Sequence, residues 1–233
     1  MKSVRDISGE EIMELPRLGL DDTFEFRCKA CGKCCKHRED VILTPYDMFR
    51  IARHLHRTPE EIFIRYCHMY EGVMSHLPVV RIVPIPPDNA CPFLMNKRCV
   101  VHNGKPVVCR VYPLARVFET EGGGATFINS GSSCTHESSP ITVRDWIGDV
   151  ASNECETAGS LWRDIITTLY ESVRPDKLSI SDDTRQQIVN VIFTSLYLNY
   201  DTNRSFIPQL QSNFEAIKIL LDATLEEVGD EQC

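Results

Sequence analysis

The period of the apolar positions changes along the chain, and the predicted elements change with it. Val41-Ile42-Leu43 reads as a short extended piece that runs into Thr44-Pro45-Tyr46-Asp47. There the threonine can cap a helix, the proline fits its first turn and the acid sits at the third helical position. A helix is expected to about Leu55. Thr58-Pro59-Glu60-Glu61 repeats the start signal, and Ile62, Phe63, Tyr66 and Cys67 follow at three- and four-residue spacing, giving a second short helix. Val79 to Ile85 is rich in branched residues and reads as a strand, broken by Pro84, Pro86 and Pro87. Ala115 to Thr120 and Ala125 to Asn129 flank Gly122-Gly123-Gly124, which predicts a β-hairpin. A glycine-rich phosphate loop is the rival there, but no strand-glycine-helix order follows and the Gly-Lys-Ser/Thr ending is absent.

From Thr142, with Asp145 three residues later, the pattern turns helical, and helices are expected over about 142–155, 160–172, 183–198 and 205–228. Leu161, Ile165, Ile166 and Leu169 form one apolar stripe, and Phe214, Ile217, Leu220, Leu221 and Leu225 another. Such stripes belong to a core. Residues 1–27 are mostly polar with scattered Leu and Phe, and are expected to form an arm packed onto the rest. The fold class that follows is α+β, mainly α. It has a loop-rich, cysteine-centred part with a small β element over residues 1–140, then a helical scaffold over 141–233 that packs on it without being an independent domain.

Composition narrows the function. The chain has 233 residues, 42% hydrophobic and 25% charged, which suits a globular protein. Its net charge of -8 works against nonspecific attraction to nucleic acid or anionic membrane surfaces. No apolar run reaches the roughly 20 residues of a membrane span, and the start MKSVRDISGEEIMELP lacks the apolar stretch of a secretory signal. A cytoplasmic location is expected. In a reducing compartment the 11 cysteines point to metal ligation before disulfides.

Ten of those 11 lie at or before residue 155. The densest group is Cys28-Lys29-Ala30-Cys31-Gly32-Lys33-Cys34-Cys35, four thiols in eight residues with a glycine where the backbone must bend. Crowded thiolates repel one another, and a bound cation is the usual means of holding several together. Two residues between ligands let a tight loop aim successive sulfurs at one centre, as in zinc knuckles and in the ferredoxin run Cys-x-x-Cys-x-x-Cys, present here at 28, 31 and 34. The second group is Cys91-Pro92-Phe93-Leu94, Cys99, Cys109-Arg110 and Cys134. The candidate metal ligands are therefore Cys28, Cys31, Cys34, Cys35, Cys91, Cys99, Cys109 and Cys134, enough for two four-thiolate sites, one iron-sulfur cluster with thiols to spare, or a redox pair. Spacing alone does not assign partners.

The order of these motifs carries a resemblance over about residues 26–150. CKACGKCC is followed by VILTPYDMFRIARHL, then by CPFL, Cys99, KPVVCR, Tyr112-Pro113 and a last cysteine at Cys134. In this the chain resembles the YkgJ-type cysteine-cluster family, described as zinc- or iron-chelating and including flagellin lysine N-methylases. The resemblance implies a metal-chelating part, and its methylase members imply S-adenosylmethionine-dependent methyl transfer to a protein substrate as one branch. His102 stands where the family pattern has an aromatic residue and adds a candidate nitrogen ligand.

Cys67 and Cys155 read as small buried packing residues and Cys233 as a terminal residue. His54, His56, His68 and His76 read as surface or packing histidines, while His37 and His136, two residues from cysteines, come closer to a ligand role. Arg110, with Lys33, Lys36, Lys97, Arg98 and Lys105, makes the cysteine region locally basic. The cations either offset thiolate charge or, in the case of Arg110, bind an anionic cofactor group such as the carboxylate of S-adenosylmethionine.

The leading expectation is a cysteine-ligated metal protein holding an iron-sulfur cluster, with a redox or cluster-dependent role. A structural zinc protein mediating protein contacts, a soft-metal carrier and a methylase are the alternatives. The radical S-adenosylmethionine spacing Cys-x-x-x-Cys-x-x-Cys, the Rossmann glycine turn, Gly-x-Ser-x-Gly and His-Glu-x-x-His are all absent.

Overall fold

A computed structural model describes residues 14–38, 41–118, 125–132, 134–173 and 181–230, the last seven of these by backbone alone. Gly122-Gly123-Gly124, the first part of the expected arm, Cys233 and the side chain of Leu225 lie outside the described residues. The chain divides into two compact units, residues 1–41 with 84–156, and residues 42–83 with 157–233. It passes from one to the other after Val41, Val83 and Glu156.

The first unit is built of short strands and turns. β1 (Arg17–Leu18), β8 (Leu114–Phe118) and β9 (Ala125–Asn129) form an antiparallel sheet in the order β1-β9-β8. β8 and β9 are the expected hairpin, with Leu114 opposite Asn129 and Phe118 opposite Ala125. β2 (Thr23–Cys28) pairs with β10 (His136–Thr142), from Cys28 opposite His136 to Thr23 opposite Thr142. The register shifts between Glu137 and Pro140, because proline has no N–H for the ladder. On β2 the alternation is plain: Phe24 and Phe26 point into the core and their neighbours point out. Their rings meet Trp146 edge-on, at centroid distances of 6.3 and 4.9 Å. Each such aromatic contributes roughly 2–3 kcal/mol through burial. Within the residues expected to form a packed arm, Arg17–Leu18 and Thr23 onward are thus paired strands.

β6 (Leu94–Met95) and β7 (Arg98–Cys99) make a two-stranded hairpin. Asn96 and Lys97, its two loop residues, both have positive φ, of 50° and 62°, as the tight turn that matches strand twist requires. α3 (Val107–Val111) and α4 (Val143–Ile147) are single short helices. The long helix expected over 142–155 breaks after Ile147: Gly148, at φ 56° and ψ −119°, ends α4, and a 3-10 turn follows over Gly148–Ala151. The next helix, α5 (Asn153–Val173), starts earlier than expected.

In the second unit, β3 (Ile42–Leu43), β4 (Cys67–Glu71) and β5 (Pro78–Ile82) form an antiparallel sheet in the order β3-β5-β4. α1 (Pro45–Leu55) and α2 (Pro59–Tyr66) both open on full capping boxes. The Asp47 carboxylate accepts from the Thr44 amide at 2.9 Å and the Thr44 hydroxyl at 2.8 Å, while the Thr44 hydroxyl accepts from the Asp47 amide at 3.2 Å. α6 (Asp182–Phe193) widens into a π-turn over Thr194–Leu198, and α7 (Phe206–Asp230) completes the unit. The face of α7 turned inward carries Phe206, Leu210, Asn213, Ile217 and Leu221, at three- and four-residue intervals. Leu220, assigned to this stripe from sequence, is 52% exposed, because four-residue steps from Asn213 reach Ile217 and Leu221 and leave position 220 outside. Asn213 is tolerated inside because its amide donates to the Asn199 carbonyl at 2.9 Å and accepts from the Asn199 side chain at 3.0 Å. Among the described residues no helix is long and apolar enough to cross a membrane.

Candidate metal centre

All eight candidate cysteines belong to the first unit, and backbone bonds bring the two sequence groups together. Gly32, in the left-handed region at φ 72°, turns the chain into the 3-10 turn Lys33–Cys35, closed by the Cys35 amide donating to the Gly32 carbonyl at 3.1 Å. A Cβ on Gly32 would stand 3.4 Å from Leu94 and 3.5 Å from the Lys97 backbone, so the knuckle of the first group lies directly against the hairpin that carries Cys99. The Cys91 amide donates to the Cys35 carbonyl at 2.7 Å. His37 and Arg38 amides donate to the Asp88 and Asn89 carbonyls at 3.2 and 3.4 Å, and Lys36 pairs with Asp88 at 2.8 Å. Cys91-Pro92-Phe93-Leu94 is itself a turn, with the Leu94 amide donating to the Cys91 carbonyl at 2.9 Å and Phe93 buried.

This scaffold gathers six thiols. Cys34 and Cys35 sulfurs are 3.9 Å apart. Cys134, from the far end of the unit's sequence, lies close enough to Cys34 and Cys31 for both to influence its acidity. Cys91 feels the charge of Cys99 and of Cys34. Cys28 ends β2, exposed, its sulfur accepting from the Ala30 amide at 3.3 Å, and Cys109 is half-buried on α3. All ten described cysteines are free thiols. Cys67 lies at the start of β4 in the second unit, and Cys155 is buried near the start of α5.

Crowding sets the acidity. At Cys34 the hydrogen bond from Cys134 pulls the thiol down, but bonding to Cys35, burial and the Cys35 charge outweigh it and push it up to about 11. The Cys34 hydrogen bond, burial and Cys34 charge raise Cys134, against smaller lowering contributions from Tyr112 and Cys31. Cys91 and Cys99 are raised first by burial. Lys105 offsets part of this at Cys34 and Cys99. It also depresses His102, with burial and Arg110 adding to the effect. These are thiols that stay protonated at neutral pH until a cation replaces their protons, which is the behaviour of a soft-metal donor set. Among the described residues no three or more His, Cys, Asp or Glu side chains hold an ion position as they stand. The Cys34 and Cys35 thiols contact one another instead, and metal bonds would replace that contact after side-chain rotation.

Arg110 is engaged within the unit. Its guanidinium lies 5.9 Å from the Trp146 ring centroid and 3.6 Å from the Asp149 carboxylate, and a Cβ on Gly148 would come within 2.6 Å of it. That setting lends no support to an anchoring role for a cofactor carboxylate. His136 has Nδ1 3.0 Å from the Cys134 carbonyl and its ring 5.0 Å from Phe26, so it braces the backbone of a candidate ligand. His37 adopts positive φ beside the knuckle. Two residues gain a role that spacing did not reveal. The Tyr112 hydroxyl lies 3.4 Å from Ser132 Oγ, and Ser132 accepts from the Cys134 amide at 3.0 Å. The sequence signal was the Tyr112-Pro113 pair within the motif series.

Comparison with known proteins agrees with this geometry. A family model, CxxCxxCC: Putative zinc- or iron-chelating domain, matches residues 27–136, just under half of the chain. An uncharacterized protein of Methanocaldococcus jannaschii is 28% identical over 90 residues, which is 38% of this chain and 44% of that protein. The chain therefore spans less than half the length of that relative. No solved structure matches. Both thiol groups, drawn to one place by the Gly32 knuckle and the Cys91 turn, lie within the segment 27–136 that matches the CxxCxxCC family model.

Proposed function

We propose that the protein chelates a single tetrahedral zinc or iron ion through Cys31, Cys34, Cys35 and Cys134, with Cys91 and Cys99 adjacent, and that the ion's first task is to hold the cysteine unit together. The close approach of Cys34 and Cys35 is the observation that supports this reading. Four sulfurs bound to one ion at ~2.3 Å stand about 3.8 Å from each other, and Cys34 and Cys35 are 3.9 Å apart, with Cys134 near enough to Cys34 and Cys31 to feel both. Sulfurs that each bind their own iron in a cluster stand farther apart. The unit also needs a staple: its sheets have two or three strands, several only two residues long, and such ladders are marginal alone. Free thiols in this number suit a reducing, cytoplasmic setting.

An iron-sulfur cluster with a redox role is the second reading, supported by the Cys28-x-x-Cys31-x-x-Cys34 run and by the Ala30 N–H bond that fixes the Cys28 sulfur. Metal and acid-labile sulfide per chain, measured on protein purified without oxygen or added metal, separate the two. About one zinc or iron with no sulfide is expected. Several irons with matching sulfide would replace the single-ion reading with the cluster.

A further inference from the structure

The β6–β7 hairpin turns one face to the cysteine knuckle and the other to solvent. Leu94 pairs with Cys99 and Met95 with Arg98, and side chains alternate along a strand, so the two pairs project from opposite faces. The first pair faces inward: a Leu94 methyl lies 3.4 Å from where a Gly32 Cβ would stand, and Cys99 is half-buried. The second faces out. Met95 is 59% exposed, Arg98 is exposed opposite it, and Val100, next on the same alternation, is 40% exposed. Lys97 is exposed on the turn, and its backbone lies 3.5 Å from the same Gly32 position, which brings the exposed Lys33 alongside.

The charge here is one-sided. Residues 26–38 and 89–118 hold ten lysines and arginines and no aspartate or glutamate, in a chain of net charge -8. Other cations of these segments are matched by acids of the same unit: Lys29 by Glu137, Lys36 by Asp88 and Arg110 by Asp149. Lys33, Lys97 and Arg98 have no acidic partner among the described residues. Offsetting thiolate charge does not account for Arg98, whose place on the strand turns it away from Cys99.

Exposed methionine and valine beside unmatched arginine and lysine suit a protein partner, because an adaptable apolar centre supplies contact area and arginine anchors it. Nucleic acid is the poorer fit. Neither 27–38 nor 94–109 contains a phenylalanine, tyrosine or tryptophan on which bases could stack, and a long polyanion would also meet the acidic remainder of the chain.

We propose that the outer face of this hairpin docks an acidic segment of a partner protein, with carboxylates meeting Lys33, Lys97 and Arg98 and an apolar side chain meeting Met95 and Val100. The docking face depends on the fold of the hairpin and not on which ion the cysteines hold.

The test follows, by fluorescence anisotropy, the binding of a labelled peptide of repeated aspartate, glutamate and leucine to the full chain as purified. Saturable binding that weakens as salt rises is expected, with Arg98→Glu weakening it about 10-fold or more and Met95→Ser by a smaller factor. Arg65→Glu, on α2 in the other unit, makes the same change in net charge and should bind as the parent does. Metal content and circular dichroism separate lost docking from lost fold, and Lys97→Glu supplies the second reversal where Arg98→Glu fails that check. Absence of saturable binding, or an equal loss in Arg65→Glu, overturns the proposal. Tighter binding of an oligothymidylate of the same length, or of phosphatidylserine vesicles, overturns the protein occupant.

Discussion

The Cys91 amide donates to the Cys35 carbonyl at 2.7 Å, a main-chain bond that joins the two cysteine groups without using either sulfur. Both thiols therefore keep their full capacity to bind metal. It also means that the arrangement of the centre is partly set before any ion arrives.

Removing a sulfur from the middle of the contact chain should remove the metal. Cys34→Ser is expected to abolish stoichiometric zinc or iron after gel filtration and to lower the unfolding midpoint. Cys67→Ser, in the other unit, should leave the metal content at that of the parent protein. Retention of a full equivalent by Cys34→Ser would refute the ligand assignment.

Proton release should accompany metal binding. Because Cys34 is pushed up to about 11 from 9.0, and Cys134, Cys91 and Cys99 are also raised, the ligands bind as thiolates only by losing protons at neutral pH. Affinity is expected to rise with pH and the ion to be shed as pH falls, with close to one proton released per ligating thiol in a weakly buffered titration. In metal-free protein the sign is different. A thiol raised on folding stabilises the fold below its unfolded pKa and loses that contribution as pH rises through its folded value, so stability should decline between about pH 9 and 11. A flat urea midpoint across that window would count against the crowded thiols.

Two glycines should differ in their tolerance of a methyl group. At Gly32 a Cβ meets only ordinary contacts, so Gly32→Ala should cost about 1 kcal/mol through its positive φ. At Gly148 the same atom comes within 2.6 Å of the Arg110 guanidinium, on backbone that L residues rarely adopt. Gly148→Ala should cost roughly 2–3 kcal/mol, read from urea unfolding. An equal or smaller loss at position 148 would show that Arg110 moves aside freely.

Asp47 should matter to stability and not to metal. Asp47→Ala removes the two bonds that the Asp47 carboxylate accepts from the Thr44 amide and hydroxyl, at a residue only 2% exposed, at a cost of about 2 kcal/mol. Unfolding followed by circular dichroism should show that loss while metal content stays at the parent level. Lost metal would mean that the two units depend on one another more than their separate cores suggest.

How much of this was legible in the chain varied with the physics involved. Thr44 and Thr58 announced their helices because capping is local chemistry, and the structure shows both boxes. The hairpin across 115–129 was equally visible. β2 was not, although Phe24 and Phe26 alternate with polar neighbours, because its partner β10 is the polar, proline-containing HESSPIT. A strand whose pairing lies so far along the sequence leaves little trace in either segment alone. For the centre, spacing identified the thiols but not their company. That Cys134 comes near Cys31 and Cys34 depends on the β2–β10 pairing, the Ser132 bond to its amide and the knuckle at Gly32, none of which is a property of cysteine spacing.

The split of the cysteine unit into two stretches has a consequence for biosynthesis. Cys31, Cys34 and Cys35 emerge from the ribosome well before Cys134, and all of residues 42–83, which belong to the other unit, are translated in between. At roughly 5–20 residues per second the nascent chain carries three unpartnered thiols for on the order of 5–20 s. Thiol reductants, or an early-bound ion held by an incomplete set of sulfurs, must guard them through that interval.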